Sequence, residues 1–502
     1  MVTRAALAGF LLGVLPHTGW SRDGITLGEA IRKTLEINPD VLMERERVRQ
    51  SQGRYRTEAG AFDWRVSGAV TREVSRGPTP DNRDIQLITE ESYALGLAGQ
   101  LRSGLLIAPG VTVYQSNNLL TTSPVSIASV NMNLVVPLLR HRGAQYTAAR
   151  ERAARSELES AQSLRTQRIA ERIADTAAAF YDCLAASEQL EILKDAERLT
   201  GEAMDTVDRM IIAMLLDPAD RLQAQAVAAS KSAARRAGEQ AFYRSRLALA
   251  AAVGHPAEEL AEAPAATGAF PGPPAPATFN VLPESLYVQR ALARRGDYLA
   301  SSRNIETAEI LLHQADNARK MRMDFHLGVG YTGADLSSGA GSRFRALYSN
   351  LLGPNVIAGV SLELPFRNDA AQGAWTLREA VFQEARLQAE RASIAIGVEI
   401  LGALEDLQSA VEQTRTVLEG ERIFLQALDH EKKKMTTGQS SLTDLLQIQD
   451  RYIDIRLAKV RALRDYAVAL VRFRLVTGTL LDPAADVASF DLNRLTTLPF
   501  SE

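Results

Sequence analysis

The sequence predicts an internally duplicated α+β membrane protein, with short amphipathic strands, about four per chain, forming an oligomeric transmembrane β-barrel continued by a long α-helical coiled-coil tunnel. Three observations predict it. One order of segments occurs twice along the chain. Two helical patterns run far beyond the dozen or so residues of an ordinary globular helix. The strand patterns carry one apolar face but are too few to close a barrel within one chain, and an open sheet edge has no hydrogen-bonding partners in lipid.

The repeat sets the domain order. The first half opens on Thr26-Leu27-Gly28-Glu29-Ala30-Ile31, followed by Leu35 and Asn38-Pro39-Asp40; the second opens on Val281-Leu282-Pro283-Glu284-Ser285-Leu286, followed by Leu292 and Gly296-Asp297-Tyr298. Each opening leads into a polar helical stretch and then into strands. Trp64, Val66, Gly68 and Val70 alternate with Arg65, Ser67, Ala69 and Thr71; Phe325, Leu327, Val329 and Tyr331 alternate with His326, Gly328, Gly330 and Thr332. The return strands alternate likewise and end in Pro137 and Pro365. Period two is the signature of a sheet with two unlike faces. The strands are expected at about 62–76, 126–137, 324–333 and 354–365. A further hairpin candidate, 92–117, has no assigned place.

Long helices follow each proline, at about 144–217 and 371–436, with shorter return helices at 218–253 and 441–477. At 1.5 Å per residue the long helices reach about 100 Å. Leu446, Ile453, Val460 and Ala467 keep the seven-residue spacing of a coiled coil. The Pro/Ala-rich stretch 261–280 reads as a linker between repeats 23–260 and 281–480, and 481–502 as an irregular tail. Residues 1–22 read as an export signal: Arg4 precedes an apolar run from Ala5 to Leu15, broken by Pro16 and too short to span a bilayer.

Composition narrows the function classes. The 57 basic and 60 acidic residues nearly balance at a net charge of −3, which lacks the basic footprint of a nucleic-acid binder. The single cysteine, Cys183, lies in a helical apolar pattern and reads as a buried inert thiol. The six histidines are scattered singly, so no metal site and no cofactor is expected. No phosphate loop or nucleophile–base arrangement is present, and an enzyme is not expected. The polar strand face, with Ser67, Asn131, Asn133 and Glu363, suits a water-filled lumen. Trp64, Tyr93, Phe325 and Tyr331 suit interfacial girdles.

The ordered set Leu27-Gly28-Glu29-Ala30-Ile31, Asn38-Pro39, strands, Pro137-Leu138-Leu139-Arg140 and long helices, all duplicated, resembles the TolC outer-membrane efflux family over about residues 25–480. The resemblance implies a homotrimer with a twelve-stranded barrel in outer-membrane lipid and a helical tunnel in the periplasm. It also implies a periplasmic adaptor (membrane fusion) protein and an inner-membrane transporter of RND, ABC or MFS type as partners. The channel itself would be a passive duct for efflux or type I secretion, its cargo unspecified.

In that family the helix breaks form the periplasmic tip, where docking and gating occur. Here the breaks carry Asp217, Asp220 and Gln223 in the first repeat and Gly438, Ser441, Asp444 and Gln447 in the second. Capping alone accounts for the aspartates, which sit where helix N-termini favour carboxylates. Threefold assembly would add a ring of carboxylates at a pore mouth. Relatives can carry a second aspartate one turn later in the second break; here Gln447 stands there, and Gln223 in the first, which weakens the case for an acidic gate. The rival reading is a periplasmic coiled-coil scaffold without a pore.

Overall fold

The computed structural model describes residues 24–78, 85–117, 124–212, 214, 217, 219–274, 283–337, 341–349, 351–436, 442–481 and 491–498. In chain order these form α1 (Leu27–Ile37), α2 (Pro39–Ala59), β1 (Arg65–Pro78), β2 (Ile85–Gln100), β3 (Leu106–Asn117), β4 (Val125–Pro137), α3 (Ala144–Thr147), α4 (Ala149–Ile212) and α5 (Asp220–Val253). The second half supplies α6 (Glu284–Arg294), α7 (Gly296–Ala318), β5 (Arg322–Asp335), α8 (Ser342–Arg345), β6 (Leu351–Glu363), α9 (Asp369–Thr436) and α10 (Leu442–Val476). At 64 and 68 residues, α4 and α9 are each about 100 Å long. The chain divides into two compact units, one from residues 1–44, 166–295 and 396–502, the other from 45–165 and 296–395. The signal segment 1–22, Gly438 and Ser441 lie outside the described residues.

The first unit is a helical packing with its core along α4. The α1 start is a capping box: the Thr26 side chain accepts from the Glu29 amide, and the Glu29 carboxylate accepts from the Thr26 amide at 2.9 Å. Asn38-Pro39 then turns the chain into α2. Asn38 Oδ1 accepts from the Asp40 amide at 2.9 Å, Pro39 takes the first helical position, and Asn38 Nδ2 donates to the Ala252 carbonyl at 2.8 Å. Ile31, Ile173, Tyr181, Leu249, Val253 and Val471 are buried together. Ile453, Val460 and Ala467 are also buried, so the seven-residue spacing of α10 marks its packed seam. Ion pairs stitch the helices: Lys231 to Asp450 at 3.0 Å, Arg456 to Asp195 at 3.5 Å and Lys459 to Glu421 at 2.8 Å.

Two stretches without a helical pattern are nevertheless packed here. Ile25 bridges Ala266, and Phe270 stacks on Tyr181 with ring centres 5.9 Å apart. The described part of the Pro/Ala-rich stretch is therefore strapped across the helices. In the tail, Leu495 is buried and the Arg474 Nε donates to the Thr497 carbonyl at 2.6 Å.

The second unit carries one six-stranded antiparallel sheet in the order β1-β2-β3-β4-β5-β6. The hairpin with no assigned place in the sequence is β2–β3, inserted between β1 and β4 and paired to both. The β2–β3 ladder runs from Thr89↔Asn117 to Gly96↔Gly110, then resumes at Gly99↔Ile107. The gap falls beside Pro109, which has no N–H to donate. In the same unit, Ser160 Oγ donates to the Ala300 carbonyl at 3.2 Å and Ser156 Oγ to the Arg303 carbonyl at 3.0 Å. These small side chains let α4 and α7 approach closely.

Candidate functional site

Register assigns every strand residue to one of two faces, because directly paired residues in an antiparallel sheet point the same way. One face carries the row Val66–Leu97 and the row Leu95–Val111–Val130–Tyr331–Pro354. Met132–Val329–Val356 and Val136–Phe325–Val360 continue it. This apolar face is largely uncovered: Val66 is 74% exposed, Val356 66% and Val360 63%. A contiguous apolar sheet face of this extent is stable only against another apolar phase.

The opposite face is lined by Ser67, Ala69 and Thr71 on β1, Ser129, Asn131 and Asn133 on β4, and Gly328, Gly330 and Thr332 on β5. The His326 ring nitrogen Nε2 lies 2.8 Å from Ser361 Oγ on this side. Toward the β1–β2 loop end the face turns acidic, with Glu73 directly opposite Glu90. Two like charges in one cross-strand pair are destabilising and are retained here in a polar, open setting.

The four aromatics singled out in the sequence fall in two bands along the sheet. Trp64 lies over Gly99, where an added Cβ would sit 2.6 Å from the indole, so the ring fills the space the glycine leaves. Phe325 lies at the same end, between Val136 and Val360. Tyr93 and Tyr331 occupy adjacent rows toward the other end. Phe325 and Tyr331 are about 20 Å apart along β5.

A residue that sequence reading passed over organises that second end. Arg343, on the four-residue α8, pairs with Glu91 at 2.6 Å, bonds Gln115 Oε1, donates to the Tyr93 hydroxyl at 3.2 Å and stands 5.7 Å from the Tyr93 ring centre. Ala346 is buried with Val113 and Ala128, so the loop bearing α8 lies over the apolar face at this end. The only sequence cue is a basic Ser-Arg-Phe-Arg in a loop, and its partners lie more than 200 residues away. Arg343→Ala is expected to lower stability by about 2 kcal/mol, because Glu91, 18% exposed, is left without its closest cation. Arg343→Lys should restore only part of it, since an ammonium cannot form the guanidinium's several directed bonds. Heat-dissociation midpoints of the two variants check this.

At the helix ends, Asp217 Oδ1 accepts from the Ala219 amide at 2.8 Å and closes the turn before α5; the aspartate cap expected from the sequence is not formed, because Ala219 is the N-cap residue and no side chain caps there. Asp220 begins α5, and Gln223 is exposed one turn on. Asp444 lies in the first turn of α10 and Gln447 is exposed beyond it. Arg221 pairs with Asp208 at 3.0 Å and ties the two helices across the first break. Ile212, Met214 and Leu222 surround that break with 81%, 92% and 71% exposure. Met214 has φ +59°, a conformation strained for a side-chain-bearing residue. Cys183 is buried, and burial pushes its thiol pKa up, away from thiolate chemistry. No group of three or more metal-ligating side chains occurs among the described residues.

No protein-family model matches the sequence, and no curated protein matches it significantly. The fold does match solved structures. The Campylobacter jejuni CmeC outer membrane channel superposes with a TM-score of 0.66 at 15% identity, covering 100% of this chain and 98% of its own. The Vibrio cholerae outer membrane protein VceC superposes at 0.62 with 18% identity, covering 90% and 96%. The open state of the Neisseria gonorrhoeae MtrE outer membrane channel superposes at 0.61 with 15% identity, covering 91% and 90%. The chain has the fold of these channels over almost its whole length.

Proposed function

We propose that the chain is one protomer of a TolC-like outer-membrane exit duct. Three copies close their sheets into a barrel in outer-membrane lipid and assemble their long helices into a periplasmic tunnel. The observation that carries this reading is the sheet itself: an uncovered apolar face, a small and polar opposite face, and, among the described residues, two long unpaired edges, β1 and β6. Each feature is unfavourable for a lone chain in water, and all three are satisfied by a closed barrel in lipid.

The helices support the same reading. On α9, Leu387, Ile394 and Leu401 are exposed at seven-residue spacing, a second apolar seam left open by the described residues of its own chain. Neighbouring copies supply a partner for it. At the tip, the exposed Ile212, Met214 and Leu222 offer an apolar patch to a periplasmic adaptor, and Asp217 holds the turn before α5. Transport needs no chemistry from this chain. The driving force comes from an inner-membrane transporter, and the chain contributes a polar wall along which hydrated cargo passes.

The direct test is fractionation of cells expressing the full chain, followed by detergent extraction and mass measurement. A heat-sensitive trimer in the outer-membrane fraction supports the duct; a soluble periplasmic species favours a coiled-coil scaffold. The acidic pair gives a functional readout. In planar bilayers the channel is expected to prefer cations, and Glu73→Gln with Glu90→Gln should lower the cation-over-anion permeability ratio about twofold.

A further inference from the structure

We infer that the barrel built by this chain has eighteen strands, six from each of three copies, and not the twelve that the resemblance alone implies. This rests on the trimeric duct proposed above and goes beyond it in the width of the barrel. The β2–β3 hairpin is an integral part of the wall. β2 pairs with β1 from Arg65↔Ala98 to Pro78↔Ile85, and β3 pairs with β4 from Leu106↔Val135 to Ser116↔Val125. Its two faces continue those of its neighbours, with Leu95 and Val111 in the apolar row and Ala94 and Thr112 in the polar one.

The hairpin is also fixed at its base. Arg102 in its turn makes two bonds to the Glu151 carboxylate on α4, at 2.6 and 2.7 Å. The Gly143 amide donates to the Ser103 carbonyl at 3.0 Å. Gly104, at φ +96°, lies so close to the His141 carbonyl that an added Cβ would sit 2.6 Å away. A hairpin adds an even number of strands, so β1 and β4 keep their opposite directions. β6 of one copy and β1 of the next then meet antiparallel, as barrel closure requires.

Barrel diameter grows about linearly with strand number: at a strand spacing of about 4.8 Å and a tilt of about 40°, twelve strands give about 24 Å and eighteen about 36 Å between backbones. The lumen face is rich in Gly, Ala, Ser, Thr and Asn, which keeps most of that width open to bulky, hydrated cargo.

The test compares the full chain with a variant lacking residues 85–117, both in lipid nanodiscs. Native mass spectrometry counts the copies, and top views from electron cryomicroscopy measure the barrel. The expected result is three copies in each, with the full-length barrel about 1.5-fold wider. Three copies with equal barrel widths would overturn the inference and leave the duct reading intact. Two copies sharing twelve strands would overturn it as well. Absence of any outer-membrane oligomer would remove both readings. If the shortened variant does not fold, the full-length diameter still decides, at about 36 Å against about 24 Å.

Discussion

Gly254→Ala is expected to destabilise the protein by about 2–4 kcal/mol, read as a lower heat-dissociation midpoint and less assembled protein in the membrane fraction. Gly254 closes α5 in a left-handed conformation, φ +95° and ψ 31°. The His255 amide returns to the Ala250 carbonyl at 3.0 Å in the pattern of a Schellman cap. A side chain here meets two separate penalties. The positive φ alone costs about 1 kcal/mol. The new Cβ would also lie 2.6 Å from the Asn38 Cα and 3.0 Å from the Pro39 ring. That neighbour is backbone at the α1–α2 joint, held by the Asn38 bond to Ala252, and cannot swing aside. Gly254→Asn separates the two penalties, because asparagine tolerates the left-handed conformation while its Cβ meets the same backbone. It should lose most of what Gly254→Ala loses. A near-parental Gly254→Asn would mean that the close approach to Asn38 contributes nothing.

The second repeat has a counterpart to this joint. Gly478, at φ +65°, follows α10 and lies against the α6–α7 junction, with its Cβ position 3.1 Å from Arg294 Cβ and 3.2 Å from the Arg295 amide. The duplication legible in the opening motifs therefore extends to the glycines that end the return helices, 224 residues apart by their numbers. Sequence spacing alone does not reveal this, since the glycines matter through contacts with segments far along the chain.

The same distinction explains which strands were legible. β4 and β6 alternate cleanly, and β1 and β5 do so over most of their length, with charges on the apolar face only toward one end, at Arg72 and Asp335. β2 does not alternate cleanly: Glu91 falls on the apolar face, next to Glu90 on the polar one. Its charge is met by Arg343, which reaches it from the β5–β6 loop at 2.6 Å, and by Arg72 directly opposite on β1 at 3.6 Å. β3 contains Pro109-Gly110, which reads as a turn. The structure keeps it as a strand by losing pairing on one side of Pro109 while retaining Pro109↔Met132 on the other. At the first helix break the sequence suggests an aspartate cap, but Asp217 bonds the amide of the cap residue Ala219 and holds the preceding turn instead; the Arg221–Asp208 pair across the break has no local cue at all. The packed strap at Ala266 and the tail contact at Arg474 depend on partners hundreds and tens of residues away, and their composition alone marks them as loop.

A pair of arginine substitutions on β6 gives the sharpest separation between a membrane barrel and a soluble sheet. Val356→Arg places a charge on the apolar face in the row of Met132 and Val329; Gly359→Arg places one on the opposite face, where an added Cβ meets nothing within 4 Å. Both positions are exposed in the lone chain. If the apolar face meets water, the two charges are equally well solvated, and each variant should lie within about 0.5 kcal/mol of the parent. If it meets lipid, the Val356→Arg guanidinium must be held in hydrocarbon or snorkel out of it, at about 2–4 kcal/mol near the bilayer midplane. Gly359→Arg, facing the lumen, loses little stability and instead shifts ion preference toward anions. The expected result is that Val356→Arg alone depletes the heat-stable oligomer from the outer membrane, with Gly359→Arg assembled and altered in selectivity. The reverse order would mean that the faces are assigned the wrong way round. Near-parental behaviour of both would mean that the sheet does not sit in lipid, and the coiled-coil scaffold would then account better for the chain.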